Sequence, residues 1–292
     1  MSLRYAYNTN GMAHHRLDDA LDLLGEHGYD GVALTLDHHH LDPLAPGAPA
    51  EAQRVRARLD DLGLAAVVET GARYLLDPRA KHEPTFVTPD APGRARRLDF
   101  LRRTVDVAGV LGAETVSFWA GVPRAGVDRG AAWEWLVEGV ARLAEHAAGP
   151  GVALSFEPEP GMLVETPREW ERLRDAVAQA APGTPPLLLA LDSGHCIVTG
   201  DLAPDEAVRA YADRLGTVAV EDMRRGVHEH LAWGEGDMDV PAVLAALDEV
   251  GYRRLVTVEL SRDSHRAHEL VPRTIAYLRA AEARAADGRT EP

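Results

Sequence analysis

The chain has 292 residues and carries 31 Lys+Arg against 46 Asp+Glu, a formal net charge of −15, with one cysteine and 13 histidines. The lone Cys196 excludes an intramolecular disulfide framework, and no apolar run approaches the roughly 18 residues of a membrane span. The acid excess opposes a phosphate backbone, so neither nucleic acid nor membrane is an expected partner.

Met1-Ser2-Leu3-Arg4 leads straight into a strand-like segment near 4–8, so no signal peptide is expected and the chain reads as a soluble, cytoplasmic protein. Residues 16–27 place Leu17, Ala20, Leu21 and Leu24 on one helical face; Gly28 ends that helix and 31–36 follows as an apolar strand. The phrase recurs. Helices ending at Leu62 and Leu111 stop at Gly63 and Gly112 and feed strands near 64–69 and 114–119. Glycine suits the left-handed residue that closes a helix. Further strands are predicted near 151–157, 186–192 and 216–222, and a helix that stops at Gly251 feeds the last, near 254–259. Thr166-Pro167-Arg168-Glu169 reads as a capping box, and Pro204 and Pro241 mark two more helix starts.

Eight short apolar strands, each followed by a helical pattern, predict an α/β fold: a single (β/α)8 TIM barrel over 1–285, with 286–292 as a disordered tail. A doubly wound open sheet would show a Gly-rich phosphate turn after its first strand, and Asn8-Thr-Asn-Gly11 is not one. The segment 70–92, with Arg73, Tyr74, Lys81 and His82, is long for a βα loop, which favours a functional role.

In such barrels the active site lies at the C-terminal ends of the strands. The fifth strand ends Glu157-Pro-Glu159-Pro, the sixth Asp192-Ser-Gly-His195, the seventh Glu221-Asp222 followed by His228-Glu-His230, and the eighth Glu259-Leu-Ser-Arg262. Carboxylates converging on one small volume repel one another, and a divalent cation resolves the conflict. Oxygen and imidazole donors suit zinc or manganese, with magnesium or cobalt as further options. His38-His39-His40 and His14-His15 are weaker candidates, as readily explained by loop polarity.

These motifs resemble the xylose-isomerase-like barrel superfamily, which joins sugar isomerases and epimerases, inosose dehydratases and endonuclease IV-type enzymes. The resemblance covers nearly the whole chain. It implies one metal held by Glu, Asp, His and Glu on strands five to eight, with the two glutamates exchanging a proton at the substrate carbon. Glu159-Pro160 with Glu165-Thr166 matches the epimerase spacing, so Glu159 is the expected fifth-strand ligand; Glu157 is the alternative. Asp192 and Glu259 are the further ligands it implies. The usual seventh-strand His is replaced by Ala219, and either Glu221 or the histidines could take its place. Endonuclease-like members hold another metal through a sixth-strand His and an Asp-x-His before Gly-Glu-Gly; here stand His195, His228-Glu-His230 and Gly234-Glu-Gly236. Their third- and fourth-strand histidines appear as Glu69 or Gly71 and as Trp119, so that metal is not expected.

The resemblance thus implies a metal-dependent isomerase or epimerase of a sugar, sugar phosphate or cyclitol-like polyol. It would work through a metal-stabilised enediolate, with Glu159 and Glu259 as the catalytic pair. Glu157, Arg73, Trp119 and Arg262 are expected to bind substrate, with Arg224 also available for an anionic group. A dehydratase or lyase using the same enolate, or a metabolite-binding barrel without catalysis, are the alternatives; the charge argues against an endonuclease. Self-association is compatible with the sequence.

Overall fold

The computed structural model describes residues 2–287. Eight parallel strands close into a barrel: β1 (Arg4–Asn8), β2 (Gly31–Thr35), β3 (Ala65–Glu69), β4 (Val116–Phe118), β5 (Leu154–Phe156), β6 (Leu188–Asp192), β7 (Leu215–Val220) and, last in the chain, β10 (Leu255–Val258). Neighbours run β1-β10-β7-β6-β5-β4-β3-β2, and the pair Tyr7↔Val258 closes the ring. Closure removes both sheet edges and rules out the open doubly wound sheet. Each strand is buried on both faces, which is why the sequence reads as apolar runs rather than alternation.

Helices cover the outside: α1 (Leu17–Glu26), α2 (Ala48–Leu62), α3 (Ala91–Leu111), α4 (Arg129–Ala148), α5 (Pro167–Ala180), α6 (Ser193–Thr199), α7 (Pro204–Ala210), α8 (Val240–Glu249) and α9 (Ala267–Asp287). Gly63 (φ 67) and Gly112 (φ 63) close α2 and α3 in the left-handed region. At α5, Thr166 accepts from Glu169 N at 3.3 Å, but the Glu169 carboxylate reaches back to Glu165 N at 2.7 Å, one residue beyond a simple capping box. The helix α9 runs to Asp287, through the first residues assigned to the tail; 288–292 lie outside the described residues. No helix among the described residues is long and apolar enough to cross a membrane.

Two departures from the predicted elements mark the two ends of the barrel. β4 begins at Val116 rather than 114, because the Glu114 carboxylate turns to accept from Leu255 N (3.0 Å) and pairs with Arg4 (2.6 Å) beneath the barrel. After β7 the chain makes an antiparallel hairpin, β8 (Asp222–Arg224) and β9 (Val227–Leu231), which forms a separate two-stranded sheet. Asp222 anchors the segment leaving that hairpin. Its carboxylate accepts from Gly234 N (2.8 Å), Gly236 N (3.0 Å) and Met238 N (3.0 Å). A Cβ on Gly236 would lie 2.3 Å from Asp222 Oδ1 and 2.6 Å from Met223 O, so Gly236 is required by close backbone approach, whereas Gly234 is favoured by its φ of 87.

Candidate active site at the barrel mouth

The strand ends surround a cavity of about 440 Å³. Lining it are the predicted Glu157, Glu159, His195, His228, His230, Glu259, Arg73, Trp119 and Arg262. Asp192 (3% exposed) and Glu221 (fully buried) sit just behind this lining. Asp192 caps α6 through His195 N (3.0 Å), which leaves Oδ2 facing the His195 ring at 3.5 Å.

Imidazole and carboxylate interleave. His195 Nδ1 approaches the Pro158 carbonyl at 3.0 Å and Glu157 Oε1 at 3.7 Å. Its Nε2 faces His228 Nε2 at 3.1 Å. His228 Nε2 lies 3.8 Å from Glu159 Oε1. His230 Nδ1 bonds Glu221 Oε2 at 2.6 Å, and its Nε2 lies 3.9 Å from Glu259 Oε1. Asn10 Nδ2 donates to Glu259 Oε1 at 2.6 Å and fixes that carboxylate. Three groups among the described residues bring their donor atoms within 4.8 Å of one another; two lie here, Glu159 with His195 and His228, and Glu157 with Asp192 and His195, and the third is Asp37 with His38 and His39.

The electrostatics match a site built for a positive charge. Burial, then Asp192 and Glu259, hold the Glu221 carboxyl well above its ordinary range. Burial, then Glu159 and Asp192, do the same to Glu157. Glu159 is raised too, by burial, with His195 working against the shift. Burial, then His195, push His228 down to about 4. The charged forms of these four groups are thus disfavoured when nothing else is bound, whereas Asp192 is held below its ordinary range, burial opposing and His195 leading the lowering.

A divalent ion fits these residues. Asp192 and Glu221 are buried against one another, and no N–H or hydroxyl donor reaches Asp192 Oδ2 or Glu221 Oε1, so the pair must share a proton or a cation. Two imidazole nitrogens facing at 3.1 Å need a proton or a cation between them. Carboxylate plus imidazole is a zinc or manganese donor set. On the seventh strand, Ala219 leaves space over a small void it shares with Asp192 and Glu259, while Glu221 buttresses His230 from behind.

Several expectations are placed elsewhere. Arg224 donates to the Glu235 carbonyl (3.0 Å), outside the cavity lining. Arg262 reaches the rim but is paired with Glu229. The rings of His38, His39 and His40 lie close but tilted to one another (centroids 4.5 and 4.2 Å apart, 55° and 43° between planes) beside Asp37, also outside the lining. Trp119 forms a wall between His82 (5.4 Å, edge to face) and the buried Arg97 guanidinium (4.6 Å). Asn8, Asn10, Thr35 and Glu69 line the cavity and were not singled out for the site by sequence. Asn8, Thr35 and Glu69 end β1, β2 and β3, and Asn10 follows β1 by two residues, so the strand-end rule applied to those strands would have found them.

The model of the xylose isomerase-like TIM barrel family matches residues 21–281. The chain belongs to that family. An inosose dehydratase of Geobacillus kaustophilus is 30% identical over 180 residues, 52% of this chain and 56% of that protein. The chain thus spans about half the length of the inosose dehydratases it matches. A 2-oxo-tetronate isomerase of Cupriavidus necator is 26% identical over 259 residues, 85% of this chain and 89% of that protein. Among solved structures, an L-ribulose 3-epimerase superposes with TM-score 0.76 at 19% identity over 100% of both chains. The IOLI protein with a bound zinc atom gives TM-score 0.73 at 17% identity, over 97% of this chain and 99% of that one. These likenesses establish the barrel. The relatives are sugar isomerases, epimerases and dehydratases.

Proposed function

We propose that this xylose isomerase-like barrel is a divalent-metal-dependent isomerase or epimerase of a small polyhydroxylated carbonyl compound. The observation that carries the reading is the buried carboxyl pair Asp192 and Glu221, which must share a proton or a cation, behind the imidazoles of His195, His228 and His230. Glu157 or Glu159, Asp192, His195, His228, His230 and Glu259 are the donors within reach, with Glu221 orienting His230. A zinc or manganese ion held there would draw charge from a substrate carbonyl oxygen and so acidify the adjacent C–H.

The chain's own residues do the rest. Glu159 and Glu259 follow strands separated by β6 and β7, so they approach the cavity from different sides. Glu159, a carboxyl that burial raises above its ordinary range, suits proton exchange at carbon. Glu259, fixed by Asn10, is placed to return the proton from the other side. Trp119 offers an apolar face to a carbon skeleton.

The inosose dehydratase similarity favours a second reading, in which the same proton abstraction is followed by loss of a β-hydroxyl. Incubation in deuterium oxide with ketoses, sugar acids and inososes separates the two. Deuterium at the carbon next to the carbonyl without loss of water supports the isomerase; a product lighter by one water supports the lyase. Absence of both in protein carrying about one equivalent of metal would remove the catalytic reading. Less than about a tenth of an equivalent bound, with no response to added manganese or zinc, would remove the metal.

A further inference from the structure

Among the described residues three cations line the cavity: Arg73, Lys81 and Arg262. Arg262 is neutralised by Glu229. Arg73 donates only to an uncharged acceptor, the Asn10 carbonyl, at 2.7 Å. Lys81 makes no hydrogen bond or ion pair among the described residues. Two unneutralised positive charges therefore border a cavity whose other polar residues are carboxylates, imidazoles and neutral groups.

Lys81 is also the only lysine in the chain; every other member of the 31 Lys+Arg is arginine. The helix faces use arginine for ion pairs throughout, as in Arg54–Asp18, Arg103–Asp99 and Arg209–Asp205. Eighteen of the 292 residues line the cavity, so a lysine placed without regard to function would fall there about one time in sixteen. An ammonium is a compact point charge with three rotatable donors, which a planar guanidinium cannot imitate.

Backbone geometry brings the two cations together. Ala72 (φ 52), Arg73 (φ 25) and His82 (φ 68) all adopt the left-handed region, three of the four such non-glycine residues in the described chain. His82 N donates to the Arg73 carbonyl at 2.6 Å, and its Nδ1 bonds the Gly71 carbonyl at 2.6 Å. The loop between β3 and α3 is thus folded back on itself, with Arg73 and Lys81 at adjoining points of one rim. Unfavourable backbone of this kind persists where the surrounding structure fixes it for a purpose.

We infer that this loop is an anion-recognition arm, and that the substrate carries a phosphate or a carboxylate taken up by Lys81 and Arg73. An uncharged sugar would leave both cations without a role, and an anion would be repelled from this acidic cavity without them. The inference rests on the cavity being the active site.

The single lysine makes the test direct. Acylation with a limiting succinimidyl ester, read by peptide mass spectrometry, reports on Lys81 with the N-terminal amine as internal reference. Inorganic phosphate and D-glycerate are the probes, at ionic strength held constant with sodium chloride. One of them is expected to slow Lys81 acylation at least about fivefold while leaving the reference unchanged. Phosphate protection would assign a phosphate ester, and glycerate protection a carboxylate. Arg73→Met should abolish the protection. Acylation insensitive to both anions overturns the inference.

Once a substrate is in hand, Lys81→Met should raise KM for the anionic compound about 10- to 100-fold and leave its uncharged counterpart unchanged. Lys81→Arg should recover only part of the loss. Equal KM increases for charged and uncharged substrates also overturn the inference. Protection needs no turnover, so protection without deuterium exchange would spare the anion arm and sink the isomerase reading. Exchange on uncharged sugars without protection would do the reverse.

Discussion

At the lower end of the barrel, Glu114 divides its oxygens between Arg4 (2.6 Å) and Leu255 N (3.0 Å), and Asp30 Oδ2 accepts from both Arg279 (2.9 Å) and Tyr5 N (2.8 Å). Each carboxylate there meets a guanidinium and ties down the first residue or two of a strand. At the upper end, Asp192, Glu221, Glu157, Glu159 and Glu259 face imidazoles and one another, with no arginine paired to any of them among the described residues. Charge below is arranged for the fold, and charge above is left incomplete. Asymmetry of this kind is expected where stability and chemistry occupy opposite faces of a barrel.

Substitutions at the two ends should therefore separate cleanly. Asp192→Asn keeps an oxygen for the α6 cap but removes the charge. Activity should fall at least about 10³-fold and bound metal below about a tenth of an equivalent, while the metal-free protein melts no lower than its parent. Near-full activity in that variant would abolish the contrast. Glu221→Gln removes the carboxylate behind His230, and a 10- to 100-fold weaker metal affinity is expected, with the circular dichroism spectrum unchanged. Unaltered affinity in a competition titration would leave Glu221 a merely structural group.

A pH experiment sharpens the comparison further. Burial, then Glu259, raise the Glu69 carboxyl from 4.5 to about 8, so the folded protein holds that proton where the unfolded chain does not. Its contribution to stability is complete below about 4.5 and declines as pH rises toward 8. The histidines His40, His82 and His228, each held down at about 4 chiefly by burial, act oppositely below 6.5. Between about 6.5 and 8 the carboxylates act alone. Chelator-treated protein should lose about 2 kcal/mol from Glu69 across that window, and added zinc or manganese should flatten the curve. Metal-free stability rising over the same range, in urea titrations, would contradict the proposed cluster. The smallest effect belongs below. Glu114→Gln breaks a partly exposed pair and should cost about 1 kcal/mol, a fall in Tm of about 2 °C, with unchanged activity. Lost activity there would mean the two ends are coupled.

The barrel was legible because glycine-terminated helices feeding apolar strands are local signals, and each strand appears within a few residues of its expected place. The gathering of the fifth- to eighth-strand polar residues at the barrel mouth was legible for the same reason: polar residues ending apolar strands stand out. The hairpin was not, because its turn at Arg225-Gly226 lacks the Asn-Gly or Asp-Gly that announces a tight turn. Nor was the role of Glu221 settled. Whether a carboxylate binds an ion or braces a histidine depends on where a chain segment nine residues later returns, and spacing alone does not encode that.

The hairpin carries one more consequence. Where a donor sits on a barrel strand, its position is fixed by the ladder on either side. Here His228 and His230 ride on a two-stranded flap outside that ladder, fastened near its base by the three amide bonds of Asp222. Under the proposed metal role, sequence drift in this hairpin would retune the two imidazoles without disturbing a single barrel strand.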